Sequence, residues 1–165
     1  MKIIAFAGIS DSGKTHLIQK LIQELKSREY TVSVIKHCPH GFELEAQGKD
    51  TAKFMHAGAD SACLFSSEGI AICQQKKQGL DVHSIARDYL QGSDFVLVEG
   101  EKEDKTLKKI EVLRRGVSEQ LLCPFEELIA VVSDYDFMTD KPVFHPGEIN
   151  AIADFLEAQS NEKEL

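Results

Sequence analysis

The residues with the clearest chemistry lie near the start of the chain, in the stretch GISDSGKTH at positions 8–16. Its glycines, lysine and threonine have the spacing G-x-x-x-x-G-K-[ST], which is typical of a loop that holds nucleotide phosphates. Backbone N–H groups converge on phosphate oxygens, the lysine reaches the outer phosphates, and the hydroxyl joins the ligands of a Mg²⁺ ion. The predicted nucleotide-binding residues are Gly8, Ser10, Asp11, Ser12, Gly13, Lys14, Thr15 and His16.

Such a loop needs a buried strand before it and a helix after it. Residues 2–7 are mostly apolar and predict the strand. The segment that follows Gly13 carries apolar residues at helical spacing, which predicts an amphipathic helix whose inner stripe consists of Leu17, Ile18, Leu21, Ile22 and Leu25. The strand, loop and helix together make a chance match to the pattern improbable, so the loop is interpreted as a phosphate site.

Acidic residues at the ends of other strands are the candidates for holding Mg²⁺. Glu99 ends the apolar run FVLV, where a carboxylate can hold the ion beside the loop, and Asp50 follows the second predicted strand. Asp134 ends the run LIAVVS, where it could accept hydrogen bonds from N1–H and the exocyclic amine of guanine. A carboxylate in that role would favour GTP over ATP. From position alone, a surface turn is the more common role for an aspartate such as Asp134, and a solvated strand end is the alternative for Glu99.

A cluster of imidazole and thiol groups follows the second predicted strand, at His37, Cys38 and His40. These ligand types suit Zn²⁺ or Ni²⁺. The segment supplies at most three ligands on a short turn that contains proline, which favours a polar lining for a nucleotide or pterin site, or a plain loop. The remaining histidines show no partner pattern and, apart from the place of the first of them in the loop motif, are predicted to be surface or packing residues: His16, His56, His83 and His145.

Composition limits the function classes. The chain has 165 residues and a formal net charge of −8, which argues against broad binding of nucleic-acid backbones. No apolar run approaches the ~20 residues that cross a bilayer, so we expect a cytoplasmic protein without membrane contact. The four cysteines are scattered, with no C-x-x-C pair, and predict reduced thiols instead of a disulfide framework or a cysteine-based zinc site.

The order of predicted elements indicates an α/β fold of the P-loop NTPase class, a three-layer sandwich with a mostly parallel sheet. Residues 61–75 interrupt the alternation of strands and helices and predict an antiparallel hairpin, which could extend the edge of the sheet or pair with a second subunit. The last helix is predicted to begin near Pro146. We expect a single nucleotide-binding domain over residues 1–159 and a polar tail at residues 160–165.

Three stretches in this order resemble the molybdopterin-guanine dinucleotide biosynthesis protein B (MobB) family: GISDSGKT, VIKHCPHGFELEAQGKDTAKFMHAGAD, and DFVLVEGEK followed by KIEVLRR. The resemblance spans roughly residues 1–135. It implies a GTP-binding fold, a homodimer, and a helper role in attaching GMP to molybdopterin, with the guanylyltransferase as partner and molybdopterin as a further candidate ligand. It also implies that Thr15, Asp50 and Glu99 surround Mg²⁺ and that the site is lined by His37, His40, Lys49 and Lys102. His16 departs from the family, where a second Thr or Ser is common.

Slow GTP hydrolysis is the expected activity. Fast hydrolysis needs a group that orients water and a positive group that stabilises the transition state, and a missing arginine can be worth ~10³ to 10⁵ in rate. The sequence offers no evident glutamine for the first role, although Arg114 and Arg115 are candidates for the second. Two alternatives remain open at this point, a small-molecule kinase of the P-loop class and a metallochaperone GTPase that uses His37, Cys38 and His40.

Overall fold

The structure of the protein is a computed structural model that describes residues 1–41, 49–75 and 79–159. The chain divides into two compact units, one formed by Met1–His37 and the chain from Val82 onward, the other by Cys38–Asp81. The predicted tail at residues 160–165 lies outside the described residues. The prediction of a single domain over residues 1–159 stays a prediction.

The first unit is built on a six-stranded sheet whose strand pairs are all parallel. Its strands, in the order β2-β5-β1-β6-β7-β8, are β1 (Lys2–Ala7), β2 (Val32–Lys36), β5 (Phe95–Glu99), β6 (Lys108–Leu113), β7 (Leu128–Ser133) and β8 (Val143–Phe144). The central strands β1, β5, β6 and β7 are almost entirely buried. Parallel strands covered on both faces carry such continuous apolar runs.

Three helices cover this sheet, namely α1 (Lys14–Ser27), α3 (Val82–Tyr89) and α4 (Ile149–Ala158). Alternate side chains of each strand point to opposite faces, so β1 contributes Ile4 and Phe6 to the core beneath α1 and α4, and Ile3 and Ala5 to the core beneath α3. Arg28 holds α1 against α4 by donating hydrogen bonds to Asp154 and Glu157. Sheet and helices form three layers.

The second unit contains the helix α2 (Lys49–His56) and a hairpin of β3 (Ser61–Phe65) and β4 (Ile70–Gln74). The two strands are antiparallel and form a sheet of their own. Cys73 lies on one face and is buried. The opposite face carries Phe65, Ile70 and Ile72, which are 86%, 68% and 55% exposed.

The predicted fold class is confirmed as an α/β fold with a mostly parallel sheet and an antiparallel hairpin. The expectation that this hairpin could extend the main sheet is not met within the described chain, because it pairs only with itself there. The last helix begins at Ile149, slightly after the predicted start near Pro146, since residues 145–148 form a turn in which Glu148 N–H donates to the carbonyl of His145. The short strand β8 was not predicted because its two residues give too little pattern.

Candidate functional site

The carboxyl ends of the central strands place the candidate residues along one edge of the sheet. The loop from Gly8 to Thr15 follows β1, Glu99 ends β5, Arg114 follows β6 and Asp134 follows β7. Because these strands are parallel neighbours, the segments that follow them meet at the same edge. Open α/β sheets bind ligands at this position.

The loop has the backbone conformation that its glycines permit. Gly8 and Gly13 have φ angles of 138° and 97°, and Asp11 between them adopts a left-handed φ of 63°. A Cβ atom at Gly8 would lie 2.6 Å from the carbonyl oxygen of Val112, so only glycine fits against β6 at this position. The helix α1 starts directly after Gly13, which places its N-terminal end at the loop.

Lys14 lies against the loop that precedes it. Its Nζ donates hydrogen bonds to the carbonyl oxygens of Gly8, at 2.9 Å, and Ile9, at 2.6 Å. Burial lowers the pKa of the Lys14 ammonium from its ordinary value, the carboxylate of Glu99 opposes this shift, and Lys36 adds to it. The loop therefore holds one positive charge in a partly desolvated position.

Thr15 and Glu99 come together at the end of the loop, as the sequence predicted. The Thr15 hydroxyl donates to Oε1 of Glu99 at 2.7 Å, and Nζ of Lys36 lies 3.3 Å from the same oxygen. The carboxylate is mostly shielded, with its side chain 13% exposed. Adjacent oxygen ligands of an octahedral Mg²⁺ are separated by roughly 3 Å, so this pair fits the ion that the loop pattern implies.

Ser12 provides a second sign that the loop is shaped for a ligand. The residue is 4% exposed, and its hydroxyl oxygen has no hydrogen-bond partner among the described residues. A buried hydroxyl without a partner is costly in a folded protein. The donor set of this loop, an ammonium, a free hydroxyl and a helix N-terminus, is suited to an anion with several oxygen acceptors.

Two residues beyond the loop support its edge. Arg114 donates from Nη1 to the carbonyl oxygen of Asp11 at 3.1 Å and so supports the residue with the left-handed φ angle. Asp134 accepts a hydrogen bond from the backbone N–H of Arg115 at 2.7 Å, while the Arg115 guanidinium lies over the ring of Tyr135. Of the two arginines considered in the sequence, Arg114 is thus the one bonded to the loop.

A cavity of about 480 Å³ lies on the flank of the loop. Ligand sites commonly enclose ~300 to 1,000 Å³. It is lined by four segments, namely Ser12 and Gly13 with the first turns of α1, the end of β6, the end of β7 at Asp134, and a turn at His145, Pro146 and Gly147. The predicted nucleotide residues Ser12, Gly13, His16 and Asp134 therefore share one cavity.

The other predicted residues are distributed between the two units. His37 lies 3.0 Å from a carboxylate oxygen of Glu101, and Lys102 pairs at 3.8 Å with Glu103. Exposed Asp50, in the first turn of α2, pairs with Lys53 at 3.0 Å, and His40 is exposed. Both lie in the second unit, and the side chain of Lys49 is outside the described part of the structure. Their predicted roles stay predictions.

Two kinds of site are absent from the described residues, a metal-binding cluster and a membrane-spanning helix. No group of three or more His, Cys, Asp or Glu side chains is arranged there to hold a metal ion, including around His37, Cys38 and His40. No described helix is long and apolar enough to span a membrane.

A comparison with protein families gives a match over residues 3–134 to the model described as molybdopterin guanine dinucleotide synthesis protein B. The match covers the loop, both strand-end carboxylates and every strand of the sheet except β8. The chain belongs to the MobB family. Membership confirms the family resemblance seen in the sequence.

Characterised relatives agree with this membership. The molybdopterin-guanine dinucleotide biosynthesis adapter protein of Haemophilus influenzae is 33% identical over 94% of this chain and 87% of its own. The adapter protein of the same name from Escherichia coli is 31% identical over 93% of this chain and 90% of its own. A crystal structure of molybdopterin-guanine biosynthesis protein B matches 94% of this chain and 98% of its own with a TM-score of 0.72 and 25% identity. The structure of Bacillus subtilis MobB matches 99% and 100% with a TM-score of 0.74, which at 19% identity shows the shared fold.

Three residues of the candidate site were missed in the sequence. Lys36 ends β2, and His145 and Gly147 belong to the turn before α4. Lys36 could have been predicted from the sequence, since it ends a strand as Glu99 does. The turn carried none, because its place beside the loop depends on the order of strands in the sheet.

Proposed function

We propose that this MobB protein is a cytoplasmic adapter that binds GTP and Mg²⁺ and supplies nucleotide to the guanylyltransferase that attaches GMP to molybdopterin. The observation that carries the proposal is the arrangement of Lys14, Thr15 and Glu99, in which an ammonium, a hydroxyl and a carboxylate lie at the end of one glycine-bounded loop. The names of the relatives, adapter proteins of molybdopterin-guanine dinucleotide biosynthesis, support the pathway.

Each part of the site has a role in this proposal. The loop from Gly8 to Thr15 holds the phosphates through its backbone N–H groups and Lys14. Thr15 and Glu99 hold Mg²⁺. When bound, Mg²⁺ neutralises charge on the phosphate oxygens. Asp134 accepts hydrogen bonds from guanine at the other end of the cavity.

Slow turnover belongs to the same proposal. Arg114, the candidate positive group, donates to the carbonyl of Asp11 and so is engaged in supporting the loop. Among the described residues near the loop no glutamine stands ready to orient water. We therefore expect hydrolysis well below the ~1 s⁻¹ of ordinary kinases and stimulated GTPases, so that the bound nucleotide lasts long enough to be delivered.

Titration calorimetry with GTP and ATP, each with and without Mg²⁺, tests nucleotide binding. The wild-type protein should bind GTP more tightly than ATP, and Lys14→Ala should lose at least about 10-fold in affinity, or ~1.4 kcal/mol. Lys26→Ala is the matched control, because Lys26 is an exposed lysine in the last turn of the same helix. Equal loss in the two variants, or no binding by the wild-type protein, contradicts the proposal.

The adapter role is tested by association with the guanylyltransferase. Analytical ultracentrifugation of the two purified proteins should show a complex in the presence of GTP and Mg²⁺. Lys14→Ala should weaken that complex if nucleotide binding and association are linked. Absence of any complex with the nucleotide-loaded wild-type protein contradicts an adapter that acts by direct contact.

We further propose that the protein is a homodimer and that the outer face of the β3-β4 hairpin contributes to the contact. Three large apolar side chains are exposed together there, which is unusual for a surface that stays in water. The outer edges of a two-stranded sheet also offer unpaired backbone groups to a second copy. Ile72→Asp should shift the protein from dimer to monomer in sedimentation equilibrium, whereas Val143→Asp, at an exposed residue of β8 in the first unit, should not.

A further inference from the structure

The cavity beside the loop has a second polar end that the sequence did not identify. The turn from His145 to Gly147 lines it together with Asp134, so a carboxylate acceptor and an imidazole line the same open cavity. A site that recognises a base needs such groups in a defined protonation state, because donors and acceptors on the base differ from one purine to another. Recognition of a base by His145 therefore depends on which of its ring nitrogens carries the proton.

The turn fixes which ring nitrogen of His145 carries the proton. The backbone N–H of Gly147 donates to Nδ1 at 3.1 Å, so that Nδ1 is an acceptor and the neutral ring carries its proton on Nε2. The backbone N–H of His145 itself donates to a carboxylate oxygen of Glu148 at 2.6 Å, which holds the turn in shape. His145 thus presents Nε2–H as a hydrogen-bond donor.

Asp134 is a hydrogen-bond acceptor and so complements the donor of His145. One carboxylate oxygen accepts the N–H of Arg115 at 2.7 Å, which orients the group and leaves the second oxygen as an acceptor. Guanine carries an acceptor, O6, beside two donors, N1–H and the N2 amine, whereas adenine has a donor amine at position 6. One donor and one acceptor in the same cavity match the edge of guanine and oppose that of adenine.

We propose that His145 is a specificity-determining residue of the guanine site, with Nε2–H donating to O6 while Asp134 accepts from N1–H and the N2 amine. The inference rests on the proposed binding of GTP and deepens it. ATP is then disfavoured for two reasons. Adenine offers Asp134 no donor at N1 or at position 2, and its amine at position 6 would face the Nε2–H donor of His145.

The test compares two variants with purine analogues. His145→Phe keeps a flat ring but has no donor, and His145→Gln keeps an N–H donor at the ε position. His145→Phe should lower the affinity for GTP about 10-fold, the size of one lost hydrogen bond, and His145→Gln should stay within about 3-fold of wild type. Circular dichroism melting of each variant checks that it is folded.

The analogues separate base recognition from a structural effect. Inosine triphosphate keeps O6 and lacks the N2 amine, so His145→Phe should weaken it by the same factor as GTP. The triphosphate of 2-aminopurine riboside keeps the N2 amine and lacks O6, so its affinity should not change in His145→Phe. Equal loss for both analogues, or unchanged GTP affinity, overturns the assignment of His145. Failure of wild-type protein to bind GTP at all overturns the proposed function instead, and the two failures are therefore distinguishable.

Discussion

Glu99→Gln is the change that separates the proposed metal role of the strand-end carboxylate from a structural one. The substitution removes one negative charge and keeps an oxygen that can accept from Thr15 at the same position. In the wild-type structure Glu99 accepts from Thr15 at 2.7 Å and pairs with Lys36 at 3.3 Å. The consequences for stability and for Mg²⁺ binding differ in size and can be estimated from these contacts.

The expected loss of stability is small. Lys36 is 60% exposed, so its ion pair with Glu99 contributes ~0 to 1 kcal/mol. Replacing the charged acceptor of the Thr15 hydroxyl by a neutral one reduces the contribution of that hydrogen bond to stability by roughly 1 kcal/mol. The sum, about 1 to 2 kcal/mol, corresponds to a decrease in Tm of only a few degrees in a domain of this size.

The expected loss of metal-dependent binding is larger. A neutral amide is a poor replacement for a carboxylate ligand of Mg²⁺, so the gain in GTP affinity on adding Mg²⁺ should fall at least about 10-fold in Glu99→Gln. Thr15→Ala should show a similar fall, and Thr15→Ser, which keeps the hydroxyl, should behave as wild type. Combining Glu99→Gln with Thr15→Ala should give less than the sum of the two effects, since both act on one ion.

Calorimetric GTP titrations at several Mg²⁺ concentrations, with thermal melting of the same samples, measure both quantities. If Glu99→Gln keeps the full Mg²⁺ dependence of GTP binding, the carboxylate is not a metal ligand and the reasoning is refuted. If it unfolds the protein instead, Thr15→Ala and Thr15→Ser still decide the question, because neither changes the charge of the site.

Three further outcomes follow from buried groups. Burial lowers the pKa of the Lys14 ammonium, and bound phosphate should raise that pKa again. GTP binding should therefore take up protons, more so as the pH rises toward the lowered pKa of the free protein, and Lys14→Arg should abolish the uptake measured by calorimetry in different buffers. Burial raises the pKa of the Cys123 thiol to about 12, so Cys123→Ser should leave the fast phase of Ellman's reaction at about pH 8 unchanged, whereas Cys63→Ser, at an exposed thiol, should reduce it. Lys109→Met should destabilise the protein by ~3 to 5 kcal/mol in urea, since it leaves the carboxylate of Glu127 buried and unpaired, and a second change, Glu127→Leu, should restore most of the loss.

Local patterns made the loop and its flanking elements predictable. The strand, the glycine-bounded turn and the helix occupy consecutive residues, and each has a periodicity or a residue type that determines its conformation. Glu99 could also be predicted, because a carboxylate directly after a buried strand belongs at the carboxyl edge of a parallel sheet. Its contact with Thr15 then follows from the pairing of β1 with β5, in which Phe6 lies opposite Glu99.

The rest of the site depended on features that no local pattern contains. Arg114 reaches Asp11 because β6 pairs with β1, and the sequence gives the strands but not their order. The place of His145 depends on β8, a strand of two residues, and on a turn fixed by backbone hydrogen bonds. His145 was accordingly predicted to be a surface or packing residue, which gives no indication of the cavity that this exposed residue lines.

The net charge of −8 and the proposed anion site are compatible because electrostatic effects are local. At physiological salt, exposed charges more than ~8 Å apart are largely screened, so a triphosphate at the loop senses Lys14 and its neighbours more strongly than the carboxylates elsewhere. Lys36 and Glu99 are among the charges that act on the pKa of Lys14. In such a site a divalent cation would neutralise part of the negative charge of both the carboxylate and the phosphates. A protein with net negative charge and a small positive site is thus suited to the proposed binding of one nucleotide with its metal and disfavours a long polyanion.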